Sequence, residues 1–236
     1  MTKQNYRIDT ILTGMAVPFG PKGQPSAIAK QSLEGSVSIT KLGLVGDEQA
    51  DSRHHGGPEK ALHHYASDHY PAWARECASE AAEISLEKLV PGGFGENIST
   101  KGLSEADVCV GDIYRLGTAL VQVSQGRQPC WKLNVRFGWP KMASAVQLSG
   151  RTGWYYRVLE EGKVQAGDSL ELRDRLAEHW SLADIHNVLY VDTLNQEKLK
   201  SLVALELLTE SWQALAQKRL ARCEVEDWSR RLETPL

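Results

Sequence analysis

The sequence predicts an α+β protein, mainly β with helices: a barrel or sandwich of short strands over residues 1–175, then a small three-helix domain over residues 176–236. Three observations carry this expectation. Short segments that alternate apolar and polar residues recur between glycine turns. Two of them echo each other, "VCVGDIYRLG" and "VQAGDSLELR", each with a Val-x-x-Gly-Asp core ahead of an alternating run. Beyond about Ala177 the pattern changes to capped segments with apolar residues at helical spacing.

In chain order, "YRIDTILTG" reads as an opening strand, and "GSVSITKLGLVGD" as a half-buried strand ending in a glycine turn. "EKALHHYASDHYPAWARECASE" has helical composition, with Pro71 placed to kink the helix or to start a second one. "ALVQVSQ" reads as a strand, "WPKMASAVQLSG" as a short helix ending at Gly150, and "GWYYRVLEEGKVQAGDSLELRDR" as two or three strands joined by glycine turns. Ser, Asn and Thr caps then open "SLADIHNVLY", "NQEKLKSLVALE" and "TESWQALAQKRLARC", the last with Trp212, Leu215, Ala216 and Leu220 on one broad face. The tail holds Trp228 and Leu232, placed to pack back onto the rest.

A chain of 236 residues with 42% hydrophobic and 24% charged residues has ordinary globular composition and is long enough to bury a real core. A formal net charge of -3 shows no basic excess for nucleic acid, and acids interleave the bases of the last helix. There is no apolar run long enough to span a bilayer, and "MTKQNYRIDT" lacks the apolar core of a signal peptide, so a cytoplasmic protein with neither nucleic-acid nor membrane partners is expected. Cys77, Cys109, Cys130 and Cys223 are widely spaced, which argues against a disulfide framework, a four-cysteine zinc site or an iron–sulfur cluster.

Chemistry concentrates in three stretches. In "SQGRQPCWKLN", Cys130 follows Pro129 and stands between Arg127 and Lys132; nearby cations favour the thiolate, the form that attacks and binds metals, although a small core cysteine between two surface charges has the same spelling. "GLVGDEQADSRHHGGPEKALHHY" offers glycine amides with Arg53, His55 and Lys60 for an anion, or is a polar surface loop. Its histidines, with His69, raise zinc, but HExxH is absent and neighbouring helical histidines point to different sides. "PGGFGENIST" is neither GxGxxG nor a Walker loop; its Glu96 and Asn97 are placed to orient a ligand or simply to lead into a strand.

Taken in order, "GLVGDEQADSRHHGGPEKAL", "FGENIST", "VGDIYRLGTALVQVSQGRQPCWKL" and "GWYYRVLEEGKVQAGDSLEL" resemble the MOSC domain, the module related to the C-terminal domain of molybdenum cofactor sulfurase. The resemblance covers most of residues 8–173, and the trailing helices resemble the 3-alpha domain of the bacterial YiiM type of this family. It implies a β-barrel with added helices, a molybdopterin-type molybdenum cofactor, and Cys130 of the Pro-Cys motif as molybdenum ligand and catalytic residue. It also implies reduction of N-hydroxylated bases such as hydroxylaminopurine. Because the pterin carries a phosphate, Arg53, His55, Gly57 and Arg127 are assigned to it, with Asn97 on cofactor or substrate and Asp47 bracing the loop. No flavin, haem or cluster site is evident in the chain, so the expected partners are a small N-hydroxylated substrate and an external electron-donating reductase, by hypothesis a flavoprotein. Two rivals are a persulfide carrier acting through Cys130 and a non-catalytic cofactor-binding module. The oligomeric state is not legible.

Overall fold

Inward-facing apolar residues on alternate strand positions close the first part of the chain into a ring. The computed structural model of the protein describes residues 5–50, 56–79 and 84–235. The strands are β1 (Asn5–Thr13), β2 (Val17–Phe19), β3 (Gln24–Ser26), β4 (Gln31–Ser32), β5 (Val37–Thr40), β6 (Gly43–Leu44), β7 (Leu62–Ala66), β8 (Ile98–Thr100), β9 (Ile113–Leu116), β10 (Ala119–Gly126), β11 (Trp154–Glu160), β12 (Gly162–Val164) and β13 (Ser169–Asp174). The helices are α1 (His69–Ala78), α2 (Lys132–Phe137), α3 (Met142–Ser149), α4 (Leu182–Tyr190), α5 (Gln196–Val203), α6 (Glu210–Arg222) and α7 (Ser229–Leu232).

Seven strands run β13-β9-β10-β11-β7-β8-β1, and β13 pairs back onto β1, so the barrel alternative holds over the sandwich. All neighbours are antiparallel except β7 and β8. Closure leaves the ring without a free edge. In β9, Tyr114 and Leu116 are buried while Ile113 and Arg115 are only partly so. The same interior collects Ile8, Ile11, Val121, Val123, Tyr156 and Leu170. Each such side chain contributes about 1.5–3 kcal/mol by leaving water.

The Gly-Asp echo is a repeated turn. Gly111 and Gly167 both have positive φ, 82° and 92°, and each aspartate accepts the N–H three residues before it: Asp112 from Cys109 at 2.9 Å, Asp168 from Gln165 at 3.0 Å. The strands that follow are barrel neighbours, with Leu116 opposite Leu170. Arg175 closes the first turn by donating to Asp112 at 2.7 Å.

Two expectations need correction. The stretch around "ALHHYA" is not the start of a helix: Leu62–Ala66 is strand β7, every residue of it buried between β11 and β8. Pairing on both edges outweighs a weak helical preference. Pro71 then sits in the first turn of α1, where its missing N–H costs nothing. Likewise "GSVSITKLGLVGD" is a hairpin, β5 with β6, which joins β12 in a separate three-stranded sheet.

A second core packs α1, α2 and α3 beside the barrel around Tyr65, Trp73, Phe94, Phe137, Met142 and Val146. A third gathers α4, α5 and α6 around Ile185, Leu189, Leu199, Leu202, Trp212 and Ala216, with Val110 from the barrel. Ser181 and Asn195 cap α4 and α5 by accepting the N–H of Asp184 and Lys198. Thr209 precedes α6 but spends its hydroxyl on Gln125, at 3.0 Å, tying that helix to β10.

Candidate active-site cleft

The outer face of the barrel meets the β3–β4 segment, the Phe94–Asn97 loop and the turn between β10 and α2 at a cleft open to solvent. Cys130 lies in its wall, 7% exposed. It follows Pro129, whose fixed φ carries the chain off the end of β10, and its carbonyl accepts the Leu133 N–H at 3.0 Å as α2 begins.

Strand alternation supplies the side chains opposite the thiol. His63 and His64 are adjacent in β7 and so face opposite ways. His64 points into the barrel, between the Tyr156 hydroxyl (3.0 Å) and Thr100 Oγ1 (2.8 Å), and burial pushes its pKa down to about 3. His63 faces the cleft beside its cross-strand partner Tyr155, with ring centres 5.1 Å apart. Burial and then the Arg127 charge hold the His63 imidazole well below the usual histidine range; the Gly95 backbone takes one ring nitrogen, and Nε2 has no hydrogen-bond partner among the described residues. Arg127, just past β10, is equally buried, and its Nη1 is unpartnered in the same sense. The neutral imidazole thus leaves an acceptor, and the guanidinium a donor, unused in the cleft wall.

Beneath them is a braced floor. The Lys30 ammonium is paired with Asp47, and both are almost fully buried. Burial lowers the Lys30 pKa while Asp47 opposes that shift. Asp47 also accepts the Gly14 N–H at 2.8 Å and the Asn97 amide at 2.8 Å. The second Asn97 donation goes to Leu12 O (3.2 Å), and its oxygen accepts the His63 N–H (3.0 Å). Glu96, fully buried, accepts from the Tyr70 hydroxyl and the N–H groups of Gly92 and Phe94, which shapes the "PGGFGEN" loop. Burial raises its pKa.

Of the residues singled out from sequence, Cys130, Arg127, Asn97, Asp47, Lys60 and Lys132 come together here. Asn97 is there as a brace, its amide already engaged on both sides. Gly57 directs its N–H to Gln49 Oε1 at 2.9 Å, away from a ligand. Arg53 and His55 lie outside the described residues. Lys132 lines the cleft with its ammonium on Pro25 O (2.9 Å). Sequence reading passed over Lys30 and Tyr155 and weighed His63 only as one of the histidines that raise zinc. The period of two across "LHHYA" was the available signal for His63; Lys30 had none, because the partner that buries it, Asp47, is seventeen residues away.

An anionic, phosphate-bearing pterin suits this lining. Among the described lining residues Lys30, Lys60, Arg127 and Lys132 stand against Asp47 and Glu48, a buried guanidinium nitrogen is left to donate, and the thiol is a soft metal ligand at the wall. Among the described residues no three His, Cys, Asp or Glu side chains converge to hold a metal by themselves. No helix among the described residues is long and apolar enough to cross a membrane.

Comparison with known proteins agrees with this architecture. Residues 51–171 match the MOSC domain, and residues 180–222 match the YiiM-like, 3-alpha helix domain. The chain is 42% identical to Protein YiiM of Escherichia coli (strain K12), covering 96% of this chain and 98% of that one. It is 38% identical to a protein named Reductase from Gibberella moniliformis (strain M3125 / FGSC 7600), over 83% of this chain but 34% of that longer one. The crystal structure of YiiM from Escherichia coli superposes with a TM-score of 0.79 and 35% identity, covering 98% of this chain and 99% of that one.

Proposed function

The chain belongs to the MOSC domain family, and on that premise we propose that it is a molybdenum-cofactor-dependent reductase that removes the hydroxyl oxygen from N-hydroxylated bases such as hydroxylaminopurine, with electrons from a separate reductase. MOSC domains are associated with molybdenum-cofactor binding, and one relative carries the name Reductase. The observation that carries the reading is the juxtaposition of Cys130 with two buried, unpartnered polar atoms, Arg127 Nη1 and His63 Nε2, in one cation-rich cleft.

When bound, the cofactor supplies the two-electron chemistry that converts a hydroxylamine, with two protons, to an amine and water. The chain's residues do the rest. Cys130 would hold the metal through its sulfur. Arg127 would donate to the pterin's anionic group, a charge-assisted bond made strong by burial. His63, held neutral, accepts from a ligand N–H or O–H at Nε2. Tyr155, whose phenol burial keeps protonated, walls the cleft beside both. Asn97, Asp47 and Lys30 fix the strand that carries His63.

Molybdenum and pterin analysis of the native protein beside a Cys130→Ala variant, both from cells that make the cofactor, tests the reading, followed by reductase assays on N-hydroxylated bases with a flavoprotein donor. Near-stoichiometric molybdenum in the native protein alone, with reduction of the hydroxylamine, is the expected result. Sulfane sulfur on Cys130 without molybdenum would overturn it in favour of a persulfide carrier.

A further inference from the structure

The turn that carries Cys130 is held from outside by the end of the chain. The Trp131 N–H donates to the Arg231 carbonyl at 2.7 Å, and Arg231 Nη1 donates to the Pro129 carbonyl at 2.6 Å. One tail residue therefore grips the backbone on both sides of the cysteine. Asn134 extends the attachment, its amide donating to the Leu232 carbonyl at 2.8 Å. Arg231 is itself aimed by a second donation, to Gln147 of α3, and by the Tyr190 ring of α4, 5.8 Å from its guanidinium carbon. The Tyr190 hydroxyl in turn accepts from Gln128 at 2.8 Å. Trp228 packs edge-on against Tyr190, with ring centres 5.7 Å apart, and so seats the tail on the three-helix core.

The Cys130 turn needs such support. Pro129 has no N–H to give, and the stretch lies beyond the last paired residue of β10, Gly126. We propose that Arg231 is a positioning residue for Cys130, and that residues 228–234 form a strap through which the three-helix region fixes the thiol in the cleft wall. Its catalytic meaning rests on the metal-ligand reading of Cys130; its test does not. The helices after the barrel then do more than cover apolar surface. They set where the thiol stands, so changes that loosen the strap reach the site without touching a ligand.

The test uses the full-length chain without added cofactor. N-ethylmaleimide modification of Cys130 is timed by peptide mass spectrometry at one pH, and deuterium uptake is followed over residues 128–134. Arg231→Ala is expected to speed Cys130 modification by about tenfold or more and to raise uptake in that peptide, because local opening no longer breaks the charge-assisted bond. Arg231→Lys, which keeps the charge but cannot reach Pro129 and Gln147 together, falls between, and it carries the test if the alanine variant does not fold. Ile39→Ala, in the separate three-stranded sheet of β5, β6 and β12, is the control: it lowers the melting temperature but leaves the Cys130 rate near native. In cells that make the cofactor, Arg231→Ala protein should also retain less molybdenum per chain. A native Cys130 rate and uptake in both Arg231 variants overturns the proposal, as does an equal acceleration in Ile39→Ala. Absence of molybdenum from the native protein would overturn the functional reading while leaving the strap intact.

Discussion

Asn97→Ala is the substitution whose cost can be worked most directly from the structure. The side chain accepts the buried His63 N–H at 3.0 Å and donates to Asp47 at 2.8 Å and to the Leu12 carbonyl at 3.2 Å. Its residue is 4% exposed, so water does not readily replace these partners. Truncation strands the His63 N–H and takes a donor from a nearly buried carboxylate. Each loss of that kind costs about 1–3 kcal/mol, and with the weaker Leu12 bond and the small void the total comes to about 3–5 kcal/mol. Asn97→Asp is the sharper companion. It keeps an acceptor for His63 but removes both donors and sets a second carboxylate against Asp47, so at pH 7 it should cost as much or more. Urea unfolding followed by tryptophan fluorescence measures both. If either variant came within about 1 kcal/mol of native, the brace would not be what holds the cleft floor, and the reasoning would fail.

Other perturbations separate the site from its scaffold. Cys130→Ala removes one sulfur at a cleft wall and should change stability by about 1 kcal/mol or less while abolishing molybdenum retention and activity; full activity would sink the ligand assignment. His63→Ala should weaken cofactor or substrate retention with the fold intact, read as molybdenum content and as KM against kcat in the reductase assay. For His64, burial puts the folded pKa at about 3, below the unfolded value of about 6.5, so the unfolded state takes up the proton first and stability falls as pH drops from about 6.5 towards 3, by up to about 1.4 kcal/mol per pH unit. His64→Gln should flatten that decline in urea midpoints taken across the window; parallel curves for the two proteins would refute it. Gly20 has φ 76°, and a Cβ there would lie 2.8 Å from the Trp131 ring, so Gly20→Ala should destabilise by about 1–3 kcal/mol and alter the near-ultraviolet dichroism of the tryptophans.

Much of this was legible in the linear chain because its causes are local. The Gly-Asp turns, the Ser181 and Asn195 caps, the glycine stop at Gly150 and the alternation of β9 each depend on residues within a few positions of one another, so they are written where they act. Cys130 was also visible, because its motif is contiguous. What the chain order concealed is what depends on distant neighbours. β7 has helical composition and becomes a strand because β8 and β11 offer it both edges. Lys30 is a cleft residue only because Asp47 meets it, and His63 only because the pleat turns it away from His64. The Cys130 turn owes its place to Arg231, 102 residues from the Pro129 it grips. Local signals choose turns, caps and strand faces at little entropic cost, whereas a buried donor finds its acceptor only after the barrel has closed, and that pairing, not the motif, sets the shape of the cleft.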